Sequence, residues 1–216
     1  MYLYSYVIIR DYGFAPNPFW NICSLATCKP QIRERALKGD WIAGFGGANT
    51  AITHKMVFLM QVDEICTFDE YWVDPRFFMK KPRFDGNYQQ CYGDNIYHHI
   101  GNEWMQENSH HSYADGINKN NLIHDTRIDR VLISFHYWYF GENAIELPQK
   151  FTEAIATGRA YKKLQNNICA DMCLNCMCDG HIKAKTDHTF SLLYENDAVE
   201  YIYQFIKTSN HKYSLY

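Results

Sequence analysis

Apolar positions along the chain gather into short, dense runs separated by polar, glycine-bearing stretches. Residues 2–10, YLYSYVIIR, combine Tyr, Val and Ile and predict a first strand. The stretch Asp11 to Trp20, DYGFAPNPFW, holds Gly, two Pro and Asn and predicts a loop. A helix is predicted from Lys29 to Lys38, with Pro30 suited to its first turn and Gly39 to its end. GDWIAGFGG then gives a turn at Gly39-Asp40, a short strand through Trp41 to Ala43 and a glycine loop at Gly44 to Gly47. KMVFLMQVDEI, residues 55–65, reads as a buried strand, and Phe68 to Trp72 as one helical turn. From Asp74 to Ile123 no period is sustained, and an unstructured insert of that length is usually functional. Order returns at DRVLISFHYWYF, Asp129 to Phe140, the strongest strand signal in the chain. Beyond Pro148 a helix is predicted from Gln149 to about Gln165, and a last one near Asn196 to Lys207.

Strands over 3–9, 40–45, 56–65 and 130–139 with one early helix predict an α+β protein, a small mixed β-barrel with peripheral helices. There is no internal repeat and no βαβ rhythm. Residues 1–148 form the barrel domain with its insert at 74–123, and residues 149–216 a helical, Cys-containing extension of the same globule. At 216 residues and 47% hydrophobic the chain can bury a core. A net charge of -3 argues against a surface coated in positive charge and leaves a local basic cleft open. The 16% of aromatic residues fill cores and also wall pockets for planar ligands; they would serve a dimer interface too, so the oligomeric state stays open. The opening MYLYSYVIIRDYG reads as a strand rather than a signal peptide, and no apolar run reaches the ~18 residues of a membrane helix. A soluble, cytoplasmic protein with no membrane partner is expected.

In that compartment eight cysteines read as thiols or metal ligands. Cys23, Cys28, Cys66 and Cys91 stand singly in apolar surroundings and read as small buried hydrophobes. Cys169, Cys173, Cys176 and Cys178 cluster near His181, with one C-x-x-C pair, a compact zinc knuckle or free thiols. Free thiols are the expectation, with no metal and no cofactor.

The order of strand, helix, Gly39-Asp40-Trp41-Ile42 and Val57 to Val62 resembles the PUA-like barrels, which include the EVE and ASCH domains associated with modified bases and RNA. Through residues 5–141 the phrases NPFW (Asn17 to Trp20), CSLATCKP (Cys23 to Pro30), FDEYW (Phe68 to Trp72), YGDNIY (Tyr92 to Tyr97), SHHS (Ser109 to Ser112) and DRVLIS (Asp129 to Ser134) are together similar to the second nucleotide-modification-associated domain family. The resemblance implies bacterial and phage systems that modify or sense nucleotides, phage defence among them. It carries no settled catalytic mechanism, and the Cys-rich tail lies outside it.

Gly44-Phe45-Gly46-Gly47 would bring backbone N–H groups to a phosphate, or simply turn the chain; it lacks Walker-type spacing. Asp74 to Tyr88 interleaves Arg76, Lys80, Lys81 and Arg83 with Phe77, Phe78 and Phe84, a mixture that suits nucleotides and single strands, or a solvated loop. YGDNIYHH and ENSHHSYADG contribute Asn95, Tyr97, His98, His99, His110, His111 and Ser112, able to read a base edge or move protons. Nucleophile-elbow, H-E-x-x-H and deaminase signatures are absent.

Two readings follow. In the first, a binding module holds a nucleotide or modified nucleobase, free or in nucleic acid, at the barrel mouth. Trp20, Phe45 or Tyr97 would stack, Asn17, Asn95 or His110 would read the edge, and Lys29, Arg76 or Lys81 with the Gly46 backbone would meet phosphate. In the second, an enzyme acts on the same ligands with His98, His110 or His111 as acid–base groups. A purely structural domain is the third.

Overall fold

The run YLYSYVI forms β1 (Tyr2–Ile8), in which Leu3, Tyr4 and Tyr6 are buried. The computed structural model describes residues 2–147, 154–158 and 160–165. Its chain divides into two compact units, one of residues 1–9, 41–59 and 136 onward, the other of residues 10–40 and 60–135.

The first unit is built on a five-stranded sheet. It contains β1, β3 (Trp41–Gly46), β4 (Met56–Gln61), β9 (Tyr137–Tyr139) and β10 (Lys162–Gln165), in the order β10-β1-β3-β4-β9. β1 and β3 run parallel, Leu3 opposite Trp41 through Ile8 opposite Gly46. On its core face Leu3, Phe45, Met56 and Leu59 pack with Trp41 and Trp138, whose rings stack at 6.1 Å.

Two expectations are corrected here. The glycine loop begins later than predicted, because Gly44 and Gly46 lie within β3. A Cβ on Gly44 would come 2.3 Å from the Phe58 ring, and one on Gly46 1.9 Å from the Ile52 carbonyl oxygen, so the glycines make room for neighbours that press on the strand. The predicted helix over 149–165 fails at its end, where Lys162–Gln165 is a strand antiparallel to β1. A free sheet edge offering backbone groups outweighs local helix propensity there. The helix near 196–207 and the cysteine cluster lie outside the described residues.

The second unit pairs β2 (Cys23–Leu25) and β5 (Glu64–Cys66) with β8 (Val131–Ser134) in an antiparallel sheet, beside a hairpin of β6 (Tyr97–Ile100) and β7 (Glu103–Gln106). Its helices are α1 (Pro30–Arg35), α2 (Phe68–Val73), α3 (Tyr88–Cys91) and α4 (Lys119–Thr126). Thr67 and Glu70 close a capping box on α2, and Asn87 and Gln90 one on α3. Phe14, Phe68, Tyr71, Phe77, Ile96, Tyr97 and Ile133 form the core.

The architecture is α+β, and among the described residues the sheets do not close into a barrel. The single strand expected over 130–139 divides, Val131–Ser134 joining one sheet and Tyr137–Tyr139 another. The 56–65 strand likewise breaks into β4 and β5. Asp63 sits at the second break and accepts from the Phe135 N–H at the first. The 74–123 insert has structure of its own, a 3-10 turn (Pro75–Lys80), α3 and the hairpin, pinned by Phe77, Ile96 and Tyr97 in the core. Among the described residues no helix is long and apolar enough to cross a membrane.

Candidate active site

Between β2 and α1 the chain turns through Cys28 and Lys29, both left-handed, at φ 57 and 41. Non-glycine residues hold that conformation only where the surroundings impose it, and such strain gathers at functional sites. The restraint comes from Arg33 on α1, fully buried, which reaches back with its Nε to the Cys28 carbonyl at 3.0 Å. Its remaining N–H groups donate to the carbonyls of Asp125, Ile128 and Arg130. One guanidinium thus ties the Cys28 backbone to the end of α4.

Asp125, 1% exposed, faces Cys28 across that tie. Its Oδ1 accepts from the Cys28 N–H at 2.9 Å and His124 Nδ1 at 3.0 Å; its Oδ2 accepts from the Tyr97 hydroxyl at 2.9 Å. The same Oδ2 lies 2.9 Å from His111 Nδ1. Burial disfavours the charge on Asp125, but bonds from His111 and His124 and the nearby Arg33 outweigh it and hold the carboxyl below its ordinary range.

His111 stands on the loop after β7, its carbonyl accepting from Gln106 Nε2 at 3.2 Å and Asn121 Nδ2 at 2.9 Å. Since the carboxylate only accepts, Nδ1 donates to Asp125 and Nε2 is left facing Cys28 Sγ at 3.7 Å. Sulfur, imidazole and carboxylate are therefore joined by successive contacts, the sulfur on one ring nitrogen and the carboxylate on the other, as a nucleophile, its acid–base partner and an orienting carboxylate would be. Desolvation pulls His111 down, but the Asp125 bond and the attraction of a Cys28 thiolate prevail, and the imidazole is pushed up to about 9.

That shift has a measurable consequence. A histidine raised from 6.5 to about 9 on folding adds stability that is complete below pH 6.5 and disappears as pH rises through about 9. Lys80, which burial pushes down to about 8, works in the opposite sense, adding stability as it loses its proton. The thermal midpoint of the wild type should therefore lose ground relative to His111→Gln between pH 6.5 and 9.5; parallel curves would refute the His111–Asp125 coupling.

The donor atoms of Cys28, His111 and Asp125 lie within 4.8 Å of one another, a sulfur–nitrogen–oxygen set of the kind zinc accepts. Both His111 nitrogens, however, are engaged, one toward each partner. A shared ion would require His111 to release one of them.

The residues expected on a ligand are distributed as follows. Phe45 and Gly46 belong to β3 of the first unit, with Phe45 in its core. The others lie in the second unit. His111 contacts both Cys28 and Asp125 and Lys29 adjoins Cys28, while Tyr97 is buried with its hydroxyl on Asp125. His110 is exposed beside them. Asn17 is buried, its Nδ2 donating to the Tyr92 carbonyl at 2.9 Å and its Oδ1 accepting from Lys80 Nζ at 2.7 Å. Asn95 is buried with its amide on the Tyr71 and Phe77 carbonyls. His98 stacks on Trp72 at 4.0 Å and bonds Glu107, and Lys81 caps the Trp72 ring at 3.4 Å. Arg76 is paired with Glu64 and Asp74. Trp20, at φ 62, keeps its indole N–H buried without a hydrogen-bond partner.

Sequence reasoning missed Cys28 and Asp125. Cys23 is buried as expected of a small hydrophobe, but Cys28 is only half-buried, its sulfur facing a base. The available signal was a cysteine two positions before a helix-starting proline, with His and Asp later in the chain.

A family model described as nucleotide modification associated domain 2 matches residues 1–188. No curated protein and no solved structure matches the chain.

Proposed function

From a chain that belongs to the nucleotide modification associated domain 2 family, we propose an enzyme of nucleotide modification in which Cys28 is the nucleophile, His111 the acid–base group and Asp125 its orienting partner. The observation that carries it is the pair of contacts that His111 makes, Nε2 with Cys28 Sγ at 3.7 Å and Nδ1 with Asp125 Oδ2 at 2.9 Å. Such a set of groups serves acyl transfer on unrelated folds.

In the reaction His111 starts with its Nε2 proton in place, paired with the Cys28 thiolate, and Sγ bonds to the carbonyl carbon of an ester or amide carried by the nucleotide. The carbon–heteroatom bond breaks as His111 gives that proton to the departing hydroxyl or amine. Water or an amine then opens the thioester, giving its proton to His111 Nε2 as Sγ leaves as the thiolate. Asp125 keeps the imidazole in the productive tautomer and supports its charge.

That pair of contacts favours the enzyme reading over a binding module alone, and of the three histidines weighed for acid–base work it favours His111. Nucleotide binding remains part of the proposal, with a nucleotide or modified base as the partner. Intact-mass spectrometry of protein mixed with N-acylated cytidines and ester-bearing uridines tests it. The expected result is an acyl adduct on Cys28, discharged by hydroxylamine and absent from Cys28→Ala. A panel that yields no Cys28-dependent adduct or turnover would overturn the assignment.

A further inference from the structure

His111 is not isolated among polar groups. Its ring lies 4.6 Å from that of Phe14, and Phe14 meets His110 edge-on at 5.3 Å. His110 in turn packs against Tyr12 at 4.9 Å and Tyr92 at 5.2 Å. Tyr12 and Tyr92 lie nearly parallel, 11° apart at 5.3 Å, and Tyr88 joins Tyr92 at 4.7 Å. A continuous run of rings leads from the catalytic histidine to the surface, where Tyr88 is 57% exposed and His110 is also exposed.

The run is held in place at some cost. Lys80, 1% exposed, spends its ammonium on the Asn17 carbonyl at 3.0 Å and on Asn17 Oδ1 at 2.7 Å. Asn17 then donates to the Tyr92 carbonyl, joining the 11–17 loop that bears Tyr12 to the segment that bears Tyr92. Burying a lysine is unfavourable, and its depressed pKa, about 8, reflects that penalty. A buried cation used to fix surface rings points to rings whose positions matter beyond the core.

Arg10 is exposed and close enough, with burial and His111, to disfavour protonation of His110. A neutral His110 imidazole can both donate to and accept from a heterocycle edge.

We propose that Tyr12, Tyr88, Tyr92 and His110 form a stacking platform for the nucleobase of the substrate, with Arg10 at its phosphate, presenting a group attached to the base to Cys28. The inference rests on the catalytic reading for what Cys28 does, and on the ring geometry alone for what binds. A free nucleotide and a flexible strand offer the same base and phosphate chemistry, since stacking tolerates either.

The test uses full-length Cys28→Ala protein, titrated by calorimetry with the common deoxynucleoside monophosphates and with short single-stranded oligonucleotides. Binding is expected in at least one arm, and the stronger arm identifies the physical source of the base. Tyr88→Ala and His110→Ala should each weaken it about tenfold, while Tyr88→Phe, which keeps the ring, should not. Tyr88 is exposed, so its variants should keep the parent thermal midpoint. No binding in either arm, or binding by Tyr88→Ala and His110→Ala as tight as that of the Cys28→Ala parent, would overturn the platform. The reaction of wild-type Cys28 with iodoacetamide is measured alongside. A platform that binds beside an unreactive Cys28 would refute the catalytic reading alone, and a reactive Cys28 with no nucleotide binding would refute the platform alone.

Discussion

Arg33→Met should destabilise the second unit by about 3–5 kcal/mol, the usual cost of breaking a buried charged network on one side. The side chain is fully buried and donates to four backbone carbonyls, those of Cys28, Asp125, Ile128 and Arg130. Methionine fills much of the volume and satisfies none of them. Burial lowers the Arg33 pKa to about 10, against the favourable field of Asp125, so the cation remains charged at neutral pH. Lysine should rescue little, because one ammonium cannot span carbonyls arranged around a planar fork. Urea unfolding followed by tryptophan fluorescence measures the loss. The left-handed turn at Cys28 is tied through this guanidinium, so in native buffer Arg33→Lys should also slow Cys28 alkylation. A midpoint within error of wild type would show that the turn at Cys28 does not depend on the clamp.

The strands were legible where pattern and burial coincide. β1, β3 and β4 follow dense apolar runs, and the sequence locates them to within a few residues. What it concealed was which strands share a sheet. The run from Asp129 to Phe140 holds no Gly, Pro or Asn to mark a break, yet Ser134 and Tyr137 end in different sheets. The signal for that division is Asp63, 72 positions from the Phe135 N–H that it binds. No local window contains it.

The site was half legible for the same reason. The SHHS phrase drew notice to His110 and His111 through composition alone. Cys28 in LATCKP looked like a core thiol, because its partner in the fold lies 83 positions away. Asp125 sits 97 positions from the Cys28 N–H that it accepts. The sequence offers Asn17 and Asn95 as readers of a base edge and Tyr97 as a stacking ring; in the fold all three are buried and bond to internal partners. A residue type that can read a base edge can equally satisfy a buried carbonyl, and only the fold distinguishes the two.

Cys28 should be the described cysteine that iodoacetamide modifies first at pH 7, and His111→Ala should slow that reaction about tenfold or more. The thiolate is the attacking species. Cys23 is buried and its thiol is pushed far up by desolvation; Cys66 is pushed up to about 12 by burial and by Glu70 and Glu64. Cys28 instead meets a histidine that holds its proton to about pH 9 and has an attraction to the thiolate. Without such a cation an ordinary cysteine is ~3% ionised at pH 7, a fall that the greater intrinsic reactivity of a more basic thiolate partly offsets. The wild-type rate should therefore exceed the His111→Ala rate most below pH 9, where the imidazolium stands beside the sulfur, and the difference should shrink as pH rises past about 9. Asp125→Asn removes the charge that supports the imidazolium and should give an intermediate profile, steeper below pH 9 than wild type. Peptide mapping of samples quenched at short times reads all three. Modification of Cys91 ahead of Cys28, or identical pH profiles for wild type and His111→Ala, would mean that the contacts from sulfur to carboxylate have no chemical consequence.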